Sequence, residues 1–136
     1  MRLPIIDPDS SGIYRAPSDA AALRERVLDA TGLWIEADLG AVDTKNTLLE
    51  TLARAAAFPP AFGRNWDALA DSLQDLPRTC PAYVLHLRST QGAKCALGAE
   101  WMTLLEILGE AAMYWKERGK SFVALIDDDA ELPAWK

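Results

Sequence analysis

Three short apolar runs that alternate with helical patterns constrain the fold of this chain most strongly. The runs are residues 33–37 (LWIEA), 82–87 (AYVLHL) and 121–126 (SFVALI), which are typical of buried strands. Leucine and alanine at helical intervals predict two helices between the first two runs, residues 47–56 and 65–74, and a longer one over 99–118. Strands separated by helices usually run parallel. The sequence therefore predicts an α/β fold, a small three-stranded parallel sheet packed by helices.

The first 30 residues differ from this pattern. Pro4, Pro8 and Pro17 break the first 17 residues into loops, and Ser18 is placed to cap a short helix from Asp19 to about Asp29. We therefore divide the chain into an N-terminal helical extension (1–30), a main domain (31–129) and a C-terminal tail (130–136). The extension could cover a binding face, extend it or complete the core.

The composition points to a basic protein partner. The chain has 136 residues, with 14 basic and 20 acidic ones, and a net charge of -6. Such a charge disfavours nucleic acid as a partner and favours encounter with a basic protein. Only two cysteines occur, Cys80 and Cys95, which we interpret as reduced thiols of a cytoplasmic protein. No apolar run approaches the length of a membrane span, so no membrane partner is expected.

Few residues suggest catalysis or cofactor binding. The sequence contains no glycine-rich phosphate loop, and its one histidine, His86, lies inside an apolar run, where we interpret it as a satisfied core residue. We expect no cofactor. The run Asp127, Asp128 and Asp129 follows a predicted parallel strand, so a magnesium-dependent enzyme that uses these carboxylates is a weaker alternative.

A row of aspartates on the second predicted helix breaks a local rule. Asp67, Asp71 and Asp75 follow one another at intervals of four residues, and like charges at this spacing destabilise a helix. The helix dipole and Arg64 can stabilise Asp67, and Arg78 can pair with Asp75. Asp71 has no basic residue three or four positions away. The row is therefore either a solvated face or a binding surface, and the residues alone leave both open.

The segment around this row resembles the barstar family, the intracellular inhibitors of extracellular ribonucleases. Residues 58–73 (FPPAFGRNWDALADSL) match the family pattern of a proline-bearing loop followed by Y/F-G-x-N-h-D-A-L-x-D-x-L, and the order of strands and helices agrees from about Leu33 to Asp127. The resemblance implies that this loop and helix plug a ribonuclease active site. By position, Asp67 and Asp71 would mimic RNA phosphates, Gly63 would allow close backbone approach, and Asn65 would cap the helix.

The chain also departs from that pattern. The best-known member of the family has aromatic side chains at the positions of Ala61 and Ala70, and an acidic one near Tyr114. Asp75 could supply a replacement charge and Phe62 a replacement ring, so the class of partner can persist while its identity changes. Trp66 lies on the apolar stripe of the helix and is interpreted as structural.

We therefore predict a non-catalytic inhibitor of a basic ribonuclease or ribonuclease-like toxin, a monomer before it forms the complex, as in a toxin–antitoxin pair. Its partner-binding residues would be Asp67, Asp71, Asp75, Phe62, Gly63, Asn65 and Ala61. The first alternative is an adaptor that uses the same face to dock a different basic protein without inhibiting a nuclease.

Overall fold

The chain folds as a mixed α/β structure around one parallel sheet. The computed structural model describes residues 4–59, 65–127 and 129–135. In the described residues the sheet has four strands, in the order β1-β4-β3-β2. These are β1 (Gly12–Arg15), β2 (Leu33–Asp38), β3 (Ala82–Arg88) and β4 (Ser121–Ile126). The α/β class and the parallel sheet were predicted correctly.

The prediction of three strands was wrong, because the N-terminal extension supplies a fourth. β1 pairs with the edge of β4, from Gly12 opposite Val123 to Arg15 opposite Ile126. Its four residues are too few for a strand period to stand out, and prolines surround them. Residues 12–15 therefore form a strand because their backbone pairs with the edge of β4, and not because of a local sequence pattern.

Five α-helices accompany the sheet within the described residues. They are α1 (Ala20–Asp29), α2 (Lys45–Ala55), α3 (Trp66–Leu73), α4 (Thr90–Leu97) and α5 (Ala99–Lys116). From the sequence, no helix was predicted at the position of α4. Gly98, with φ of +56°, separates α4 from α5 in a conformation that favours glycine.

Side chains cap three of these helices. Asn65 caps α3 as predicted, since its Oδ1 accepts a hydrogen bond of 2.7 Å from the amide of Ala68. For α1 the predicted cap was wrong by one residue, because Asp19 rather than Ser18 accepts from a helical amide. α2 begins earlier than predicted, where Thr44 and Thr47 form a reciprocal capping box.

Helices cover both faces of the sheet. On one face, α2 to α5 bury a large core that includes Leu85 and Phe122. On the other, Leu23 and Val27 of α1 pack with Ile5 against Val84, Val123 and Leu125. Burial on two faces explains why β3 and β4 read as continuous apolar runs.

The C-terminal tail folds back on β1. The amide of Arg15 donates to the carbonyl of Pro133 over 2.7 Å, and the amide of Trp135 donates to the carbonyl of Arg15. The Trp135 ring lies edge-on to Tyr14, with 5.0 Å between centroids. The tail thus shields the outer edge of the sheet. Among the described helices, none is long and apolar enough to cross a membrane.

Candidate functional site

α3 is anchored by one side and presents its other side outward. Leu69 and Leu73 are fully buried in the core shared with α5. The carbonyl of Leu73 accepts a 2.8 Å hydrogen bond from the indole of the buried Trp115. Trp66 is half-buried against the same core, and the ammonium of Lys45 lies 5.5 Å from its ring centroid. These contacts agree with a structural role for Trp66 and fix the orientation of α3.

The three aspartates of the predicted row are exposed to solvent. We call Asp67, Asp71 and Asp75 the acidic row. Within the described part of the chain, none of the three forms an ion pair shorter than 4 Å. Arg78 acts on Asp75 only at longer range. The acidic row therefore keeps its charge available to a partner.

A groove borders the acidic row. It has a volume of about 470 Å³ and lies between the end of α2 and α3, with Asp71 and Asp75 among its lining residues. Its other walls are mostly apolar, from residues Leu33, Ala56, Phe58, Pro59, Leu76 and Pro77. A groove with apolar walls and two carboxylates suits a long cationic side chain, which buries its stem and offers its charge.

The described part of the N-terminal extension, residues 4–30, leaves this face open. In that part, α1 and Ile5 pack against Val84 and Val123 on one face of the sheet, and α3 packs on the opposite face. Of the three roles considered for the extension, the described residues show the completion of a core.

Three of the predicted binding residues, Ala61, Phe62 and Gly63, lie outside the described residues, as does Arg64. Asn65, at the start of α3, is exposed, and its side chain is engaged as the helix cap. The described geometry therefore brings together the acidic row and the groove beside it.

Two of the three aspartates proposed for a magnesium site, Asp127 and Asp129, are engaged by other residues. Asp127 shares a 2.7 Å hydrogen bond with Nε2 of His86. The buried Asp129 forms an ion pair with Lys94 over 3.3 Å, and it accepts a hydrogen bond from the amide of Glu131. Asp128 lies outside the described residues. Among those that are described, no group of three or more His, Cys, Asp or Glu side chains could hold a metal ion.

His86 is buried as predicted but only half satisfied. Its Nδ1 lies 3.4 Å from a carboxylate oxygen of Glu36 and has no hydrogen-bond partner in the described structure. Partial burial raises the pKa of Glu36, but the Trp34 indole, the His86 ring and Arg88 outweigh it, so the pKa lies below 4.5. Sequence reasoning missed this arrangement because Glu36 belongs to β2, His86 belongs to β3, and Asp127 follows β4.

A basic cluster at the far end of α3 was also missed. Arg78, Tyr114 and Arg118 meet there, and we call them the arginine–tyrosine cluster. Arg118 follows Tyr114 by four residues, just beyond the end of α5, so these two are close in sequence, but nothing in the sequence links them to Arg78.

The fold and the exposed acidic helix define a small α/β protein whose candidate site is a surface rather than an enclosed pocket. The family model described as barstar (barnase inhibitor) matches residues 33–127, which is most of the chain. The chain belongs to the barstar family. A comparison with curated proteins found no matching relative.

Proposed function

We propose that this protein inhibits a basic ribonuclease or ribonuclease-like toxin by placing the acidic row in the active site of the enzyme. The observation that carries the proposal is the exposure of Asp67 and Asp71 on one side of an anchored helix and of Asp75 just beyond its end, without ion pairs to the described residues. A basic partner would supply the compensation that the free protein lacks.

The chemistry of the row suits mimicry of a phosphate backbone. Asp67 and Asp71 lie about one turn apart on α3, roughly 6 Å along the axis, and Asp75 follows just beyond the end of the helix, so the exposed negative charge continues past Leu73. A nuclease that binds RNA phosphates offers arginine, lysine and histidine donors, and charge-assisted hydrogen bonds to carboxylates are strong when water is excluded. The acidic row would therefore compete with RNA for the same donors.

Neighbouring residues would complete the contact surface. Phe62, Gly63 and Ala61 precede α3 in the sequence, and Asn65 caps the helix. We propose that this loop approaches the partner beside the acidic row, and that the groove beside Asp71 receives one of the cationic side chains of the partner. The proposal includes a non-catalytic, cytoplasmic protein that is monomeric until it binds.

Inhibition of barnase and of other basic ribonucleases by the purified chain tests this proposal. We expect stoichiometric inhibition that Asp71→Asn weakens roughly tenfold to a hundredfold, the effect of losing one charge-assisted hydrogen bond. Asp29→Asn is the matched control, because Asp29 is an exposed aspartate of α1, which packs on the opposite face of the sheet.

Two results would contradict the proposal. The first is inhibition that Asp71→Asn leaves unchanged, and the second is no inhibition of any basic nuclease. Binding of another basic protein that depends on Asp71 and leaves nuclease activity intact would favour the adaptor alternative instead.

A further inference from the structure

In the arginine–tyrosine cluster, two cationic side chains contact the same tyrosine, Tyr114. Nη2 of Arg78 donates to the hydroxyl of Tyr114 over 3.1 Å. The guanidinium of Arg118 lies 3.5 Å from the centroid of the same ring and donates to the carbonyl of Tyr114 over 2.8 Å. The guanidinium of Arg78 also lies 5.4 Å from the ring centroid of Trp115, within the range of a cation–π contact. Both arginines are therefore oriented before any partner binds.

Neither arginine is neutralised in the described structure. Both are exposed, and no carboxylate of the described residues lies within 4 Å of either guanidinium. Each guanidinium has five N–H donors, most of which remain free after these contacts. The hydrogen bond that Tyr114 receives from Arg78 lowers the pKa of the Tyr114 hydroxyl, as expected of a phenol beside a fixed positive charge. Two like charges are therefore held close together, and no carboxylate of the described residues forms a direct ion pair with either of them.

The cluster borders the acidic row. Arg78 follows Asp75 by three residues and is close enough for their charges to interact. α3 and α5 are tied together at this end by the hydrogen bond from Trp115 to Leu73. A protein docked on the acidic row would therefore meet the two arginines at the edge of the same contact.

We propose that Arg78, Tyr114 and Arg118 form a carboxylate-binding extension of the docking face, so that the partner carries an acidic patch beside its basic cleft. This inference rests on the proposed function for the location of the partner. Arginine binds carboxylates in a planar, bidentate manner that suits a protein side chain. RNA is disfavoured as the ligand, because the adjacent acidic row and the net charge of -6 repel its phosphates.

A first experiment tests the cluster without a nuclease. A hexaglutamate peptide is titrated at low salt into the full chain, and the arginine Nε–Hε signals are followed by NMR. We expect shifts at Arg78 and Arg118, and roughly tenfold weaker binding in the Arg78→Gln/Arg118→Gln variant. Arg24→Gln/Arg26→Gln on α1 removes the same charge from the opposite face and should leave the affinity unchanged.

The conservative variant Arg118→Lys separates geometry from charge. It keeps the charge but loses the planar stack on Tyr114, and should also weaken peptide binding. Absence of peptide binding, equal weakening by both double variants, or tighter binding of inorganic phosphate or of an RNA oligonucleotide than of the peptide would overturn the inference. Thermal unfolding of each variant checks that the fold persists.

A second experiment separates this inference from the proposed function. In the inhibition assay, Arg78→Gln/Arg118→Gln should weaken inhibition of the partner nuclease roughly tenfold, and a matching neutralisation of an acidic residue on the nuclease should make the two changes non-additive. Inhibition that is lost in Asp71→Asn but unchanged in the arginine variant would overturn the carboxylate site alone. Loss of all inhibition in the wild type would overturn the proposed function, while the peptide titration would still decide the cluster.

Discussion

At the scale of single residues, the exposed Asp67 and Asp71 repel each other across one turn of α3 and destabilise the helix. Asp71 lies four positions after Asp67 on one side of α3, Asp75 follows the end of the helix, and Asp71 forms no ion pair with the described residues. Asp67 differs, because it lies in the first turn, where the helix dipole stabilises an anion. A neutral residue at position 71 would therefore stabilise the isolated protein, whereas the proposed binding to a basic partner requires the negative charge of Asp71.

We predict that Asp71→Asn stabilises the free protein. Relief of the repulsion from Asp67, four positions earlier in α3, should raise the free energy of unfolding by about 0.2–0.5 kcal/mol at low salt. Asp67→Asn should be less favourable, because it also removes an anion from the first turn. Urea denaturation at low and high salt measures both effects, and the gain should shrink in high salt. A loss of stability in Asp71→Asn would show that Asp71 has a structural role.

At the scale of elements, the N-terminal extension is part of the sheet and of its second core. β1 adds a strand beside β4, and α1 buries Leu23 and Val27 on the face that α3 does not use. The family match begins at Leu33, so these elements lie outside the matched region. The domain boundary at residue 30 stays a prediction.

The effect of core substitutions in α1 should be on stability and not on inhibition. Leu23 is 6% exposed, and Leu23→Ala should cost about 2–4 kcal/mol through lost burial and the cavity left behind. Leu28, 47% exposed on the same helix, provides the control, and Leu28→Ala should cost less than about 0.5 kcal/mol. Both variants should inhibit like the wild type while folded. A selective loss of inhibition in folded Leu23→Ala would show that the extension shapes the docking face.

The lowered pKa of Glu36 should make the free energy of unfolding depend on pH in the acid range. Glu36 on β2 has a pKa below its usual 4.5, so its contribution is present above pH 4.5 and is lost as pH falls through the lowered pKa. Glu36→Gln should therefore lose stability less steeply than the wild type below pH 4.5. The effect should be modest because 41% of the side chain is exposed. Equal slopes in denaturation series from pH 6 to pH 3 would contradict the role of Glu36.

At the scale of the whole molecule, exposed negative charge and a groove lie together beside α3. The net charge is -6, and the acidic row lies beside a groove on one side of the sheet, with the arginine–tyrosine cluster at its edge. Such a distribution of charge would steer the basic partner that we propose toward one face during diffusion. The fold provides the rigid support, since α3 is anchored on α5 by Leu69 and Leu73.

We predict that salt slows association with a basic nuclease more than it speeds dissociation. Long-range steering is screened over about 10 Å at 0.1 M salt, whereas contacts closed off from water are screened less. Stopped-flow measurements between about 0.01 M and 1 M salt should show a steep fall in the association rate constant. The fall should be shallower in Asp67→Asn/Asp71→Asn. Association that is independent of salt would contradict steering by the acidic row.

The sequence by itself determined the local and periodic features of this protein. The apolar runs at β2, β3 and β4, the cap at Asn65 and the spacing of the acidic row follow from short-range patterns, because strand alternation, helical period and capping act over a few residues. The motif around residues 58–73 was sufficient to indicate the family that the match over residues 33–127 confirmed.

Only the tertiary structure decided which distant residues meet. β1 exists because β4 offers it an unpaired edge, and α4 is separate from α5 because Gly98 interrupts what would otherwise continue. Arg78 reaches Tyr114 across 36 positions of sequence, and His86 reaches Asp127 across 41. Such contacts depend on how the helices pack on the sheet, a long-range property that no local period encodes.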